Sequence, residues 1–254
     1  MRFSAPLIRA TLIRRYKRFL ADIVLPDGEQ AVVHCPNPGS MMGLAAPGVT
    51  CWLSDHRGSA RKLPFGWELV EFPGMTMGTA PGSAPGSPPG TIARPYFVGI
   101  NTGLANGIVA EGLAAGRVPD LAGYGEVRRE VKVGRESRLD FQLNDASRGS
   151  CFVEVKSVTL SREPGLAEFP DARTARGARH LQELDELARQ GHRAVLLFLV
   201  QRDDCHRMRI AGDIDPAYLA ALKAVTPRVE VIAHACDIGP EGIELAAPVS
   251  VDLS

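Results

Sequence analysis

This 254-residue chain lacks any apolar run long enough to cross a bilayer; the longest, Ala194 to Val200, falls far short of the roughly twenty residues a spanning helix needs. No export signal is expected, because charges interrupt every apolar stretch of MRFSAPLIRATLIRRYKRFL and no small-residue cleavage site follows. Its five cysteines include no Cys-x-x-Cys pair, and an odd number cannot complete a disulfide framework. Reduced thiols, a cytoplasmic location and no membrane partner are therefore expected. There is no net charge either: 29 basic residues balance 29 acidic ones at a pI near 7.0. A global field for steering nucleic acid or acidic substrates is thereby excluded, and an electrostatic partner must be met by a local patch. One more absence locates such a patch. The first twenty residues contain no Asp or Glu but carry Arg2, Arg9, Arg14, Arg15, Lys17 and Arg18.

What is present is ordinary for a globular protein, with 45% hydrophobic and 23% charged residues. The length fits one large domain or two average ones. The segment Pro73 to Gly90 is almost wholly Pro, Gly, Ser and other small residues, which supply nothing to bury, so it reads as a linker. The chain is accordingly divided into an N-terminal domain over 1–80, a linker over 81–90 and a C-terminal domain over 91–254. Short strand-like segments recur before the linker, at 19–25, 30–35, 49–54 and 67–72, with Pro26-Asp27-Gly28 as a tight hairpin turn between the first two. They predict a small β-barrel, for which periodicity leaves OB and SH3-like forms both open. Beyond the linker, helices and strands alternate. A helix is expected over 104–115, with Leu104, Ile108, Glu111 and Ala115 along one stripe. Strands follow at 127–133, 137–143 and 151–160, then a helix at 174–190, a buried strand at 194–200, a helix at 216–225 and a strand at 229–236.

Chemistry concentrates on CFVEVKSV. Alternation along a strand puts Glu154 and Lys156 on one face with Phe152 and Val158, and charges in such apolar company need a partner or an ion. Upstream, SRLDFQL buries Leu139, Phe141 and Leu143 and turns Asp140 the other way, so a meander can set Asp140 beside Glu154. Two carboxylates and a lysine suit a hard cation, Mg²⁺ or Mn²⁺, which clamps a phosphate and lowers the pKa of bound water. Asp, then fourteen residues on Glu-x-Lys, is the PD-(D/E)xK nuclease pattern in outline. A cross-strand salt bridge on a solvated face explains the same residues without chemistry. The order helix, meander, helix, strand favours the nuclease layout, and it offers Glu111 as an additional acid.

Several blocks carry a wider resemblance: RRYKRFLADI, HCPNPGSM, RKLP, VGINT, RREVKVG, SRLDF, CFVEVKSVTL, FPDARTARGARHLQEL and RAVLLFLVQR. Together they span nearly the whole chain, which resembles the sugar fermentation stimulation protein A (SfsA) family. The resemblance implies an N-terminal OB-fold, a C-terminal PD-(D/E)xK nuclease-like α/β domain, DNA binding and a part in regulating sugar (maltose) catabolism. By motif it places Asp140, Glu154 and Lys156 on the nuclease-type site, with Asp140 and Glu154 as metal ligands, and Glu111 on the helix acid.

Other residues have a functional and a bland reading. The cations Arg14, Arg15, Lys17 and Arg18 interleave with Tyr16 and Phe19 in the manner of a surface that tracks phosphates and stacks bases, though charge runs are usually solvated faces. Asn37 and Ser40 lie in a polar turn whose amides suit a phosphate or simply close a β-turn. His34-Cys35 and Cys205-His206 lack partner pairs at zinc spacing. His180, on the helix TARGARHLQEL, either faces the site or lies on the helix surface, and the surface position is the expected one. The expected partner is DNA, with RNA left open, and the function lies between a Mg²⁺-dependent nuclease and a regulator whose nuclease site is vestigial. An oligosaccharide-binding OB protein is a more distant third reading.

Overall fold

The computed structural model describes residues 1–74, 94–133 and 137–254. The segment expected as a linker, 81–90, lies outside them. The N-terminal part is built from β1 (Ile8–Tyr16), β2 (Leu20–Val24), β3 (Gln30–His34), β4 (Thr50–Asp55) and β5 (Phe65–Phe72). Strand β1, which is not among the expected strands, sits between β2 and β4, and exposed Arg9 and Thr11 alternate with buried Ala10 and Leu12. The order β3-β2-β1-β4-β5 closes on itself where β3 meets β5 in parallel at His34 and Gly66. This closed five-stranded barrel is the OB form, and strand order, which periodicity does not carry, is what distinguishes it. The expected hairpin turn is present: Gly28 takes a φ of +89°, and its N–H donates to the Leu25 carbonyl at 3.0 Å. Fully buried Trp67, Leu12, Leu53 and Ile23 fill the barrel.

Strand β6 (Tyr96–Gly99) extends the barrel sheet beyond β5 and leads into α1 (Ala105–Ala114). The C-terminal sheet contains the meander β7 (Glu126–Val133), β8 (Ser137–Asp145) and β9 (Gly149–Val158). A hairpin of β10 (Leu160–Glu163) and β11 (Leu166–Phe169) precedes α2 (Ala175–Arg189) and β12 (Arg193–Val200). The chain continues through β13 (Arg207–Ile210), α3 (Pro216–Val225), β14 (Glu230–Gly239), β15 (Gly242–Pro248) and β16 (Ser250–Asp252). The six-stranded sheet runs β15-β14-β12-β9-β8-β7, mixed in direction, with β12 parallel to both β9 and β14. Seven of the eight β12 residues are buried, as a strand covered on both faces requires. A smaller sheet, β10-β11-β13-β16, lies beside it.

One face of the six-stranded sheet packs against α1 through Phe141, Val153, Val155 and Leu197, while the other packs against α2 and α3 through Phe152, Leu196 and Phe198. The stripe expected on the first helix is rotated. Ala105, Ile108, Val109 and Gly112 are buried, and Glu111 faces outward. Helix α2 is capped by the Thr174 hydroxyl, which accepts from the Gly177 N–H at 2.9 Å, and it stops at Gly191 with φ +90°. Gly177 is where α2 meets α3 closely: a Cβ there would stand 3.0 Å from the Tyr218 ring and 2.8 Å from Thr174 Cγ2.

All five cysteines are free and buried. No described helix is long and apolar enough to cross a membrane. Phe198, fully buried on the central strand and 5.3 Å from the Phe169 ring, is a test of this core. Phe198→Ala should lower unfolding free energy by about 3–5 kcal/mol in a denaturant titration, the usual result of leaving a cavity in a close-packed sheet interface.

Candidate active site

The β8–β9 ladder ends at the pair Phe141 and Val153, while β9 continues alongside β12 as far as Val158. Beyond that point β8 leaves its neighbour, and a side chain takes over from the missing ladder. Asp140 Oδ2 accepts from the Val155 backbone N–H at 2.7 Å. Its other oxygen accepts from Asn106 Nδ2, on the first turn of α1, at 2.7 Å. Asn106 also donates to Glu130 Oε1 at 3.2 Å. Glu130, on β7 opposite Asp140, is held at φ +52°, an uncommon conformation for a residue with a side chain.

Glu154 and Lys156 project from β9 toward α2, as strand alternation requires. Glu154 is 3% exposed, and a lone carboxylate buried to that degree would be strongly unfavourable. Two groups share its Oε1: the Lys156 ammonium at 2.6 Å and His180 Nδ1. His180 Nε2 faces Arg176, whose Nε donates to it at 3.3 Å, so Nδ1 carries the ring proton that points at Glu154. The second oxygen, Oε2, is buried and has no partner. Tyr218 of α3 is also fully buried nearby with an unpartnered hydroxyl, and burial and the Glu154 charge both push its ionisation upward.

The two carboxylates titrate in opposite directions. Burial, reinforced by the Glu154 charge, raises the pKa of Asp140 above the ordinary carboxylate value. Burial also acts to raise that of Glu154, but the bond from His180 and the charge and bond of Lys156 outweigh it and hold the pKa low. A second cation at Asp140 would remove the first penalty, and Glu154 Oε2 is an orphaned acceptor suited to it. The donor set thus fits a hard divalent ion. Among the described residues, however, no group of three or more His, Cys, Asp or Glu stands ready to hold a metal.

The structure brings Asp140, Glu154 and Lys156 into one cluster and adds Asn106, Glu130 and His180. It corrects the preferred surface position of His180 in favour of the one that faces the site: at 6% exposure it is inside the cluster. Glu111 makes its contact elsewhere, exposed and paired with the Met1 ammonium at 2.8 Å. The contact from α1 comes instead from Asn106, which only the rotation of the helix reveals. Of the N-terminal cations, Arg14 pairs with Asp22 at 2.7 Å. Arg15 donates to the carbonyls of Arg18, Asn37 and Gly39 at 2.8–2.9 Å. Lys17 and Arg18 are exposed at the hairpin tip, both at positive φ. Asn37 is buried and closes its own turn by accepting from the Gly39 N–H at 2.8 Å. The Ser40 N–H and hydroxyl both point at Asp171, at 2.8 and 3.3 Å, which ties the barrel to the segment ahead of α2.

This pairing of a five-stranded barrel with a forked-meander α/β sheet recurs in known proteins. Residues 103–242 match the family described as the sugar fermentation stimulation protein RE domain, and residues 13–79 match the SfsA N-terminal OB domain. The chain belongs to the SfsA family. The sugar fermentation stimulation protein homolog of Rhodospirillum centenum is 52% identical over 244 residues, covering 96% of each chain. That of Roseobacter denitrificans is 48% identical over 255 residues, covering 100% of each. A solved structure of Pyrococcus furiosus SfsA, in complex with Ca²⁺, matches with a TM-score of 0.82 at 26% identity, over 99% of this chain and 98% of that one. The SfsA fold is therefore shared across nearly the full length.

The opposed environments of the two acids have a measurable consequence. A carboxyl whose folded pKa is raised loses stability as pH rises through that pKa, so ionised Asp140 weakens the metal-free fold near neutrality. Asp140→Asn should raise the thermal midpoint at pH 7 in the presence of chelator, and the gain should fade at acid pH, where the wild-type carboxyl takes up its proton. Glu154→Gln should do the reverse, destabilising the protein by about 3–5 kcal/mol, because the half-buried Lys156 would be left without its counter-charge.

Proposed function

We propose that this SfsA-family protein binds DNA and hydrolyses phosphodiester bonds with a divalent ion, Mg²⁺ or Mn²⁺, held by Asp140 and Glu154. The observation that carries this reading is the buried, unpartnered Glu154 Oε2 beside a second carboxylate at the point where the β8–β9 ladder opens. A bound divalent ion supplies a Lewis acid for the phosphate and a lowered pKa for water. The chain's own residues supply the remainder. Asn106 and the Val155 N–H fix the Asp140 carboxylate, and His180 orients Glu154. The Lys156 ammonium, the charge nearest the pair, is placed to stabilise negative charge developing on the phosphate. The Ca²⁺ in the Pyrococcus relative supports divalent-ion use by this fold. For the nucleic acid itself, exposed Arg173, Arg176 and Arg179 lie just before and along the first turns of α2, next to His180, and exposed Lys17 and Arg18 form a second cationic point on the barrel. A location in the cytoplasm and a role in sugar catabolism belong to the same proposal.

A second reading, a non-catalytic DNA-binding regulator that uses these residues to grip phosphate, draws on one observation, the absence of a ready three-ligand group among the described residues. Turnover separates the two. Purified protein with labelled DNA and Mg²⁺ or Mn²⁺ should cleave, and Lys156→Ala should retain metal-induced thermal stabilisation while losing cleavage. At a hundredfold excess of ion over its Kd that stabilisation should be about 2.7 kcal/mol, and Asp140→Asn should abolish it. Cleavage by neither with any divalent ion leaves the regulator reading, whereas equal cleavage by wild type and Lys156→Ala removes Lys156 from the chemistry.

Binding should also weaken with salt, since neutralising phosphates releases counterions. The combined Arg173→Ala, Arg176→Ala and Arg179→Ala variant should flatten the slope of log affinity against log salt by about 0.9 for each phosphate that these arginines neutralise. An unchanged slope in a salt titration would move the phosphate-binding surface to Arg14, Lys17 and Arg18 on the barrel.

A further inference from the structure

A second cavity, about 440 Å³, opens at the mouth of the barrel between the end of β3 and the loop joining β4 to β5. That volume lies within the roughly 300–1,000 Å³ of small-molecule sites. Exposed Arg61, Lys62 and His34 stand at its rim, and Glu68, only 6% exposed, lies in its wall. Glu68 is an unusual residue to find there. Ser54 Oγ donates to one carboxylate oxygen at 2.6 Å and Asn101 Nδ2 to the other at 2.7 Å. Both donors are neutral, and no described cation is within ion-pair distance. Each oxygen keeps a further lone pair, so a buried carboxylate is left with acceptor capacity on both atoms.

The surroundings keep this arrangement open. Arg61 Nη1 lies 2.6 Å from His56 Nε2, and because arginine only donates, Nε2 is an acceptor. His56 Nε2 also lies 3.0 Å from Ser54 Oγ, whose hydrogen goes to Glu68. Gly66 faces the cluster without a side chain: a Cβ there would lie 2.8 Å from Ser54 Oγ and 3.3 Å from Glu68 Oε1. A larger residue would fill the space beside the carboxylate. None of these groups takes part in the Asp140–Glu154 cluster.

A ligand matching this cavity must present two adjacent hydrogen-bond donors to Glu68 and an anion to Arg61 and Lys62. A guanidinium from a protein partner meets the first requirement but is repelled by the rim. Among the nucleobases only guanine has adjacent donors on one edge, N1–H and the N2 amino group. Adenine and cytosine set one amino donor beside a ring-nitrogen acceptor, and thymine flanks its single donor with two carbonyls. That guanine edge is free only when the base is unpaired, the state in which proteins read Watson–Crick edges directly. We propose that the barrel mouth is a binding site for a single unpaired guanine nucleotide, its Watson–Crick edge on Glu68 and its phosphate on Arg61 and Lys62. The proposal rests on the nucleic-acid reading above, though not on cleavage, and it makes the preferred substrate single-stranded.

The test uses the full chain with chelator present, so that no hydrolysis occurs, and reads fluorescence anisotropy of labelled thymidine oligonucleotides with or without one central guanine. The guanine strand should bind about tenfold more tightly than the all-thymine strand, the discrimination typical of a bidentate contact. Replacing guanine with hypoxanthine, which lacks the N2 amino group, should remove most of that preference, and a guanine paired within a duplex should show none. Glu68→Gln should bring the two strands to within about twofold, since an amide offers one acceptor and one donor. Arg61→Ala with Lys62→Ala, both exposed, should weaken both strands alike and flatten the salt slope. Should Glu68→Gln fail to fold, the hypoxanthine comparison on wild type decides by itself. Equal binding of guanine and thymine strands, or a preference that survives in folded Glu68→Gln, would overturn the pocket while leaving nucleic-acid binding intact. Absence of binding to every strand would overturn the nucleic-acid reading as well.

Discussion

A carboxylate buried at 3% exposure in an apolar sheet face governs this structure, because Glu154 can be accommodated only if neighbouring elements bring it compensating groups. Lys156 comes from the same strand two residues on and is fixed by alternation. His180 must come from α2, so the helix has to lie at a set rotation and height over β9, with Thr174 capping its start and Gly177 allowing α3 to approach. The close packing of α2 and α3 is thus tied to the electrostatics of one residue. The arrangement neutralises Oε1 and leaves Oε2 unpartnered, which distinguishes it from a salt bridge that merely satisfies itself.

The opening of the meander supplies the second half of the site. When β8 parts from β9, Val155 has no ladder partner on that side, and a buried N–H without an acceptor would be costly. The Asp140 carboxylate fills that role and so is drawn to the neighbourhood of Glu154, where the two charges repel. The resulting tension is held in place by a backbone hydrogen bond and by Asn106, and it is of the kind that a bound cation relieves. Glu130, in its left-handed conformation on β7, brings further negative charge to the same Asn106.

The two halves of the chain are joined by polar contacts as well as apolar ones. Asp171 gathers the Ser40 N–H and hydroxyl and leaves no room for a side chain at Gly39, where a Cβ would stand 2.3 Å from its carboxylate. Arg15, from β1, braces the same loop by donating to its carbonyls. Residues that look in sequence like a free basic and polar surface are therefore partly consumed in holding the barrel loop against the segment that leads to α2. The cations left exposed, on α2 and at the β1–β2 hairpin tip, are separate from that tie.

The sequence by itself determined much of the local order. Alternation along 151–160 put Glu154 and Lys156 on one face, turn chemistry placed the hairpin at Gly28, and caps and stops marked α2 and α3, because these depend on neighbours a few residues apart. The SfsA family followed from motifs read in series. Tertiary structure alone decided the rest. Barrel closure at His34 and Gly66 depends on long-range pairing that leaves no periodic trace, so OB and SH3-like forms could not be separated from strand patterns. Helix α1 is short and apolar on several sides, which made its stripe ambiguous and put Glu111 where Asn106 belongs. His180 reads as a surface residue until α2 is laid against β9, since the partner that makes it a buried group lies 26 residues away. Side-chain type can be read from the chain, but which groups share a buried volume is set by packing, and packing decides which charges must find partners.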